Sequence, residues 1–302
     1  MVKTSEITWR QNRRRAPSGA SPGSLATDSI QITAAQYKKL GNLVYQLSGI
    51  YLGDQKRELL RARLAKRFRA LNINSVQQYI QILQNDKTGQ ELVNFLDVIT
   101  TNKTDFFREP QHFDFLAREA LPNLDKMCGP NETVRIWSAA CSSGEEPYTI
   151  AIVVQENRAA LGRRDVSILA SDLSTQVLQR AQRGIYAKER VAGIPRQLMM
   201  RYFQRGSGQW EGHVRVKAPL RAMVNFARIN LMDPFNFSKP FHFIFCRNVM
   251  IYFDKNTVEQ LVGKFYRCLV PGGFLFVGHS ESLAGISHDF KFVQPATYIK
   301  RS

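Results

Sequence analysis

The residues best placed to do chemistry lie in Val134-Arg-Ile-Trp-Ser-Ala-Ala-Cys-Ser-Ser-Gly-Glu-Glu-Pro-Tyr-Thr-Ile-Ala151. There an apolar run ends in small residues and a Glu-Glu-Pro step opens a second apolar run. This order predicts a strand, a tight turn and a helix, the unit by which an open α/β sheet holds a cofactor at its carboxyl edge. Small residues let the backbone approach a ligand closely, and the helix aims its first N–H groups into the same crevice. Pro147 suits the first turn, where a missing N–H costs nothing. Only Gly144 represents a glycine-rich fingerprint, so an ordinary strand-to-helix corner gives the same pattern. A second strand, Asp165-Val-Ser-Ile-Leu-Ala-Ser-Asp172, ends in a carboxylate. Asp172 lies somewhat beyond the roughly 20-residue offset at which such units set an acid against ribose hydroxyls. It is equally suited to capping a helix from Ser174 to Arg183. Together the two features point to an adenosine-containing cofactor.

The elements that must position these residues are bounded by composition. The chain has 302 residues, 44% of them hydrophobic, enough for one large domain or a large domain with a smaller one. No apolar run approaches the roughly 20 residues that span a bilayer, and the basic N-terminus lacks the apolar stretch of a secretion signal. Cys128, Cys141, Cys246 and Cys268 are scattered without C-x-x-C pairs. That spacing fits reduced cytosolic thiols rather than a disulfide frame or a zinc site, and no metal centre is expected. The formal net charge of +17 points to an anionic partner without saying which kind.

Residues 1–29 are basic and rich in Ser, Pro and Gly, which predicts a flexible tail. From residue 30 to about 100 the periodicity is helical: Tyr37, Leu40, Leu43, Val44 and Leu47 recur at intervals of three and four, as do Leu92, Phe95, Leu96 and Ile99. Between them, Asp54 to Ala70 carries seven basic and two acidic side chains, with Leu59, Leu60, Leu64 and Phe68 as an apolar stripe. So lopsided a charge predicts an amphipathic helix whose outer face docks an acidic partner. A polar loop, Thr100 to Pro110, and a helix to about Leu121 form a linker region over 101–130. Helical pieces run from Ala181 to Leu198, Tyr202 to Lys217 suggests a short β-meander, and Val224 to Leu231 resumes the sheet. Phe241 to Cys246 is a buried strand, followed by a helix from about Thr257 to Leu269 and by late strands at Phe274 to Gly278 and within Phe290 to Ile299. Alternating β and α segments of this length predict an open, mostly parallel, doubly wound α/β sheet.

In this order the chain resembles the chemotaxis receptor glutamate methyltransferases, the CheR family. The matching stretches are Thr100 to Arg108, Trp137 to Tyr148, Ala170 to Asp172, Arg183-Gly-Ile-Tyr186, Phe245 to Asp254 and Gly278 to Leu283. The resemblance covers roughly residues 33 to 300. It implies an all-α N-terminal domain over 30–100 and a Rossmann-like S-adenosylmethionine-dependent methyltransferase domain over 131–302, with a small β-subdomain inserted at about 202–228. It further implies methyl transfer to glutamate side chains on the cytoplasmic helices of chemoreceptors, leaving S-adenosylhomocysteine as product. The enzyme would then be cytoplasmic and recruited to membrane receptor arrays, without membrane insertion. Carried over by position, the cofactor contacts are Asn102, Thr104, Arg108, one of Glu145 and Glu146 (Glu146 preferred), Asp172, Asn230, Leu231, Arg247 and Asn248. The basic helix, with Lys56, Arg57, Arg61, Arg63, Lys66 and Arg67, matches the receptor-docking face. The β-subdomain matches one that in some members grips a peptide at the receptor C-terminus.

Methyl transfer from a sulfonium to a carboxylate is an in-line displacement on carbon. Glutamate, with an ordinary pKa near 4.3, is already ionised at neutral pH, so no general base is required. What remains is to align oxygen, carbon and sulfur and to strip water from the anion. Arg108 is expected to orient the incoming carboxylate with its planar fork as well as bordering the cofactor. Tyr252 is the second catalytic candidate, with a core aromatic at a strand end as its alternative. His279 is read as a loop tether, since this reaction leaves a base nothing to abstract. A nucleic-acid methyltransferase would carry an Asn/Asp-Pro-Pro-aromatic motif near Arg247 to Tyr252, where this chain has Arg-Asn-Val-Met-Ile-Tyr, so no nucleic-acid partner is expected. A non-catalytic receptor-binding module would show a degraded cofactor site, yet Asn102, Thr104, Arg108, Asp172 and Asn248 are all in place.

Overall fold

A computed structural model describes residues 30–53, 57–99 and 102–301. The N-terminal tail and Lys56 lie outside the described residues. Helices α1 (Ala34–Ser48), α2 (Arg57–Leu71), α3 (Val76–Asn85) and α4 (Gln90–Ile99) form the N-terminal unit. Thr33 opens α1 with a reciprocal capping box to Gln36, and Gly49 closes it in the left-handed conformation. The unit has its own core of Leu40, Val44, Leu64, Phe68, Tyr79 and Phe95.

The next segment departs from the expected linker. Helix α5 (Gln111–Phe115) runs into one π-helical turn, Leu116–Ala120, and Phe113, Leu116, Leu121 and Leu124 enter the core of the following domain. Their apolar side chains cover one face of the sheet, so this stretch folds as part of the α/β domain. The elements after it are β1 (Val134–Ala139), α6 (Glu145–Glu156), β2 (Val166–Asp172), α7 (Thr175–Arg183), β3 (Ile185–Ala187), α8 (Arg196–Tyr202), β4 (Phe203–Arg205), β5 (His213–Val216), α9 (Ala218–Ala222), β6 (Val224–Arg228), β7 (Phe241–Cys246), α10 (Lys255–Cys268), β8 (Leu269–Val277), β9 (Lys291–Gln294) and β10 (Thr297–Ile299).

Seven strands make one sheet in the order β6-β2-β1-β7-β8-β10-β9, parallel through β8 and antiparallel at β10 and β9. All six residues of β7 are buried, as a strand covered on both faces requires. Tyr148, Ile150, Phe243 and Phe245 pack on the α6 side, while Trp137, Leu261, Phe265 and Leu275 pack on the α10 side. The inserted β-subdomain is the separate sheet β3-β5-β4 and spans residues 185–216 rather than 202–228. Strand β6 pairs with β2 in the main sheet. Strand β3 is only three residues long and hides within helical spacing, which is why the subdomain's start escaped the sequence pattern.

The two domains are stitched directly. Asp97 of α4 accepts hydrogen bonds from the backbone N–H and hydroxyl of Thr175, both at 3.0 Å, at the start of α7. Tyr45 donates to Asp254 at 2.5 Å, and Tyr51 N–H donates to the Tyr252 carbonyl at 2.8 Å. Among the described residues no helix is long and apolar enough to cross a membrane.

Candidate active site

The strand order reverses beside β1, which has β2 on one side and β7 on the other, so a crevice opens beyond their carboxyl ends. The connections after β1, β2, β6 and β7 line it, together with Asn102–Arg108 and the inner ends of α1, α2 and α4.

The turn after β1 depends on Gly144. Its φ is +96°, and a Cβ there would meet Ala181 Cβ at 2.8 Å and the Tyr186 hydroxyl at 3.0 Å, so only glycine fits. Tyr186 in turn donates to the Ser143 carbonyl at 2.8 Å. Asp172 Oδ2 accepts from Ser142 N–H at 2.8 Å and Oδ1 from Ser174 N–H at 2.9 Å. It therefore ties the turn to β2 and starts the segment that Ser174 caps. Burial pushes its carboxyl up, opposed by these backbone donors. Asp172 also lines the crevice.

The Glu145-Glu146 pair is split by helix rotation. Glu145 is buried away from the crevice, where it accepts from Arg190 at 2.6 Å and from the Ser143 hydroxyl at 2.7 Å. Glu146 lines the crevice and accepts from the Ser138 hydroxyl at 2.7 Å and from Arg247 at 2.9 Å. Burial pushes the Glu146 carboxyl up against the opposing pull of Arg247.

Arg247 is the hub of the back wall. Besides Glu146 it meets Glu109 at 3.0 Å, donates to the Arg108 carbonyl, and lies 5.3 Å over the Phe113 ring. Glu109 also accepts from the Asn248 amide at 3.2 Å. Burial raises the Glu109 carboxyl, but Arg247 and Asn248 together outweigh it and hold the group below the usual carboxylate range. Asn230 donates to the Leu47 carbonyl at 2.6 Å and accepts from Met232 N–H at 3.1 Å, so it fastens the loop after β6 to α1. Lys264 holds the same loop through the carbonyls of Leu231, Met232 and Asp233 at 2.5, 3.1 and 3.1 Å. In the forward loop, the Asn102 carbonyl accepts from the Ser142 hydroxyl at 3.0 Å, and that of Thr104 accepts from Arg190. Arg108 stands half-buried at the mouth, donating to the Lys103 carbonyl at 2.9 Å.

The basic helix divides in two. Arg57 and Lys66 are exposed, and Arg61 is partly so, paired with Glu58 at 2.8 Å. Arg63 lies instead in the crevice wall, donating to the Ile99 carbonyl; burial lowers its pKa, with Tyr252 opposing. Arg67 turns inward to the buried Glu91 at 2.9 Å, which also accepts from the Tyr79 hydroxyl at 2.7 Å. Arg63 and Arg67 therefore do not belong to an outer docking face. Leu59, expected in the apolar stripe, is 44% exposed at the mouth.

Sequence spacing missed Glu109, Lys264 and Glu281. None belongs to a periodic pattern, and each acts through loops distant in sequence; the one available signal was that Glu109 and Glu281 adjoin or lie within the matching stretches. Glu109, His112 and His279 also bring ligand-type atoms within 4.8 Å of one another. A cation there would compete with the Arg247 guanidinium for the Glu109 carboxylate, so the cluster reads as an ionic and aromatic wall. His112 is fully buried, and burial with Arg247 beside it pushes its pKa down to about 3.

This predicts an acid-sensitive core. Above pH about 6.5 the ring is neutral in both states. As the pH falls below that, the unfolded chain takes up a proton that the folded ring refuses until about 3, so stability is lost across the window. Compared with His112→Asn, the wild type should lose up to about 1.4 kcal/mol per pH unit in urea unfolding between pH 6 and 4. A pH-independent difference between the two would contradict this.

Apolar plates (Leu173, Ile229, Val249), three Asn side chains (Asn102, Asn230, Asn248), the carboxylates of Glu146 and Asp172, and Arg108 share the crevice. That donor set fits S-adenosylmethionine, whose adenine needs apolar cover, whose ribose offers two hydroxyls, and whose amino-acid end carries both charges.

The comparisons agree with this geometry. Residues 102–299 match the CheR methyltransferase SAM-binding domain, and residues 35–100 match the CheR methyltransferase all-alpha domain. The chain is 42% identical over 276 residues to a chemotaxis protein methyltransferase of Klebsiella aerogenes, covering 90% of this chain and 91% of that one. It is 40% identical over 279 residues to the Borreliella burgdorferi enzyme of the same name, covering 90% and 96%. Against the Salmonella typhimurium one it is 39% identical over 286 residues, covering 93% and 96%. With both domains matched in order around an S-adenosylmethionine crevice, the chain belongs to the CheR family of methyltransferases.

Proposed function

We propose that this protein transfers the methyl group of S-adenosylmethionine to glutamate carboxylates on the cytoplasmic helices of chemoreceptors, and so sets receptor adaptation. The bound cofactor supplies an electrophilic methyl on a sulfonium; the residues named here bind, align and exclude water. One observation carries the reading. The mouth of the crevice is cationic while every acid lining it among the described residues is already engaged: Glu146 by Arg247, Asp172 by backbone N–H groups, and Asp105 by Arg190 at 3.0 Å. No histidine lines it among the described residues. Such a site suits an acceptor that arrives already anionic and needs alignment rather than deprotonation.

Arg108 orients that acceptor and Tyr252 stands beside it at the mouth. The exposed Arg57 and Lys66, with the partly exposed Arg61, offer an acidic helical bundle a complementary surface on the neighbouring helix. The reading is tested by incubating the protein with methyl-labelled S-adenosylmethionine and either a receptor cytoplasmic fragment or RNA. Label in glutamyl methyl esters of the fragment is expected; label in RNA with none in receptor carboxylates would refute it.

A further inference from the structure

The loop after β7 carries Arg247, Asn248 and Tyr252 into the crevice, yet beyond Cys246 it has no strand ladder to hold its backbone. Its N–H groups converge instead on a single side chain outside the crevice lining. Glu281, only 6% exposed, accepts from Asn248 N–H at 2.7 Å and Gly278 N–H at 2.6 Å through Oε2, and from Ile251 N–H at 3.2 Å through Oε1. The fit is tight from the other side too. A Cβ at Gly278 would lie 2.6 Å from the Asn248 amide nitrogen and 2.7 Å from Glu281 Oε2. Asn248 itself has φ +59°, a left-handed conformation that a non-glycine residue keeps only when its surroundings impose it.

From this geometry we infer that Glu281 is a positioning residue for methyl transfer: its carboxylate fixes the backbone from Asn248 to Ile251 and so sets where Asn248 and Tyr252 stand in the crevice. A carboxylate suits the task because it accepts several N–H bonds at once, and those to a charged acceptor are stronger than neutral ones. The inference rests on the reading of the crevice as the S-adenosylmethionine site.

Glu281→Met keeps the length of the side chain and removes every acceptor; Glu281→Gln keeps one carbonyl oxygen. Glu91→Gln, in the N-terminal core, is the control for loss of a buried carboxylate far from the crevice. With all variants shown to be folded at the assay temperature, calorimetry gives S-adenosylmethionine affinity, and steady-state assays on the receptor fragment give kcat and KM. For Glu281→Met we expect cofactor affinity to fall about tenfold or more and kcat on the order of 100-fold, the usual effect of displacing reacting groups by about 1 Å. KM for the receptor should hold, because α2 is untouched. Glu281→Gln should recover part of both losses, and Glu91→Gln should move only thermal stability. If Glu281→Met does not fold, Glu281→Gln and Gly278→Ala, which crowds the same bonds from the opposite side, must show the same pattern. Wild-type affinity and kcat in the folded Glu281 variants would overturn the role of Glu281 alone. A wild type that binds no S-adenosylmethionine would overturn the reading of the crevice, and this inference with it.

Discussion

Arg108→Ala should methylate receptor on the order of 10²- to 10³-fold more slowly than the wild type and bind S-adenosylmethionine more weakly, the scale expected when one oriented charged donor is lost from a site that excludes water. Arg108 is half-buried at the mouth, held by the Lys103 carbonyl at 2.9 Å, and backed by its own carbonyl's contact with Arg247. One nitrogen of its guanidinium is therefore anchored before an acceptor arrives. Arg108→Lys should recover only part of the loss, because a point charge keeps the attraction but not the two-pronged alignment of a carboxylate. Titrating cofactor and receptor fragment separately resolves the two contributions. An Arg108→Ala enzyme unimpaired in both would remove Arg108 from the site.

Arg247→Met should be the most destabilising single change in the crevice wall. The guanidinium is nearly fully buried and pairs with two carboxylates, Glu146 at 2.9 Å and Glu109 at 3.0 Å. Removing it leaves both acids inside without a counter-charge, a loss of about 3–5 kcal/mol by analogy with broken buried ion pairs. Urea unfolding should show it as a lower midpoint. Arg247→Met combined with Glu146→Met should be less destabilised than Arg247→Met alone, because the second change withdraws one of the stranded charges. A double variant that unfolds more easily than the single would show that Glu146 stabilises the wall mainly through the Ser138 hydroxyl rather than through Arg247.

The strand–turn–helix at Val134–Glu156 was legible because its signals are local: an apolar run, small residues, Gly144 and Pro147 in order. Asp172 was legible as a residue of the site but not in its detail. Both of its proposed uses involve the same strand end, and it in fact bonds backbone both in the turn after β1 and in the segment after β2. The choice between Glu145 and Glu146 turns on about 100° of helix rotation. Which of the two faces the crevice goes with their partners, Arg190 for Glu145 and Arg247 for Glu146, which lie 45 and 101 residues away. Counting charges grouped Arg63 and Arg67 with the outward-facing Arg57 and Lys66. Arg67 faces inward because the buried Glu91, 24 residues on, needs a partner, and no local pattern carries that information. Glu281 is the extreme case: its importance lies in backbone N–H groups some 30 residues earlier, and no residue type announces those.

The account's central claim, that the acceptor arrives ionised and the site contributes alignment rather than proton abstraction, is tested most directly by the pH profile of single-turnover methyl transfer to the receptor fragment with cofactor saturating. The rate constant should be level from about pH 6 to 9 and fall only as the acceptor carboxyl, with its ordinary pKa near 4.3, takes up a proton. A rate that rises tenfold per pH unit through neutrality would reveal a base whose deprotonation limits the reaction, and would contradict the claim.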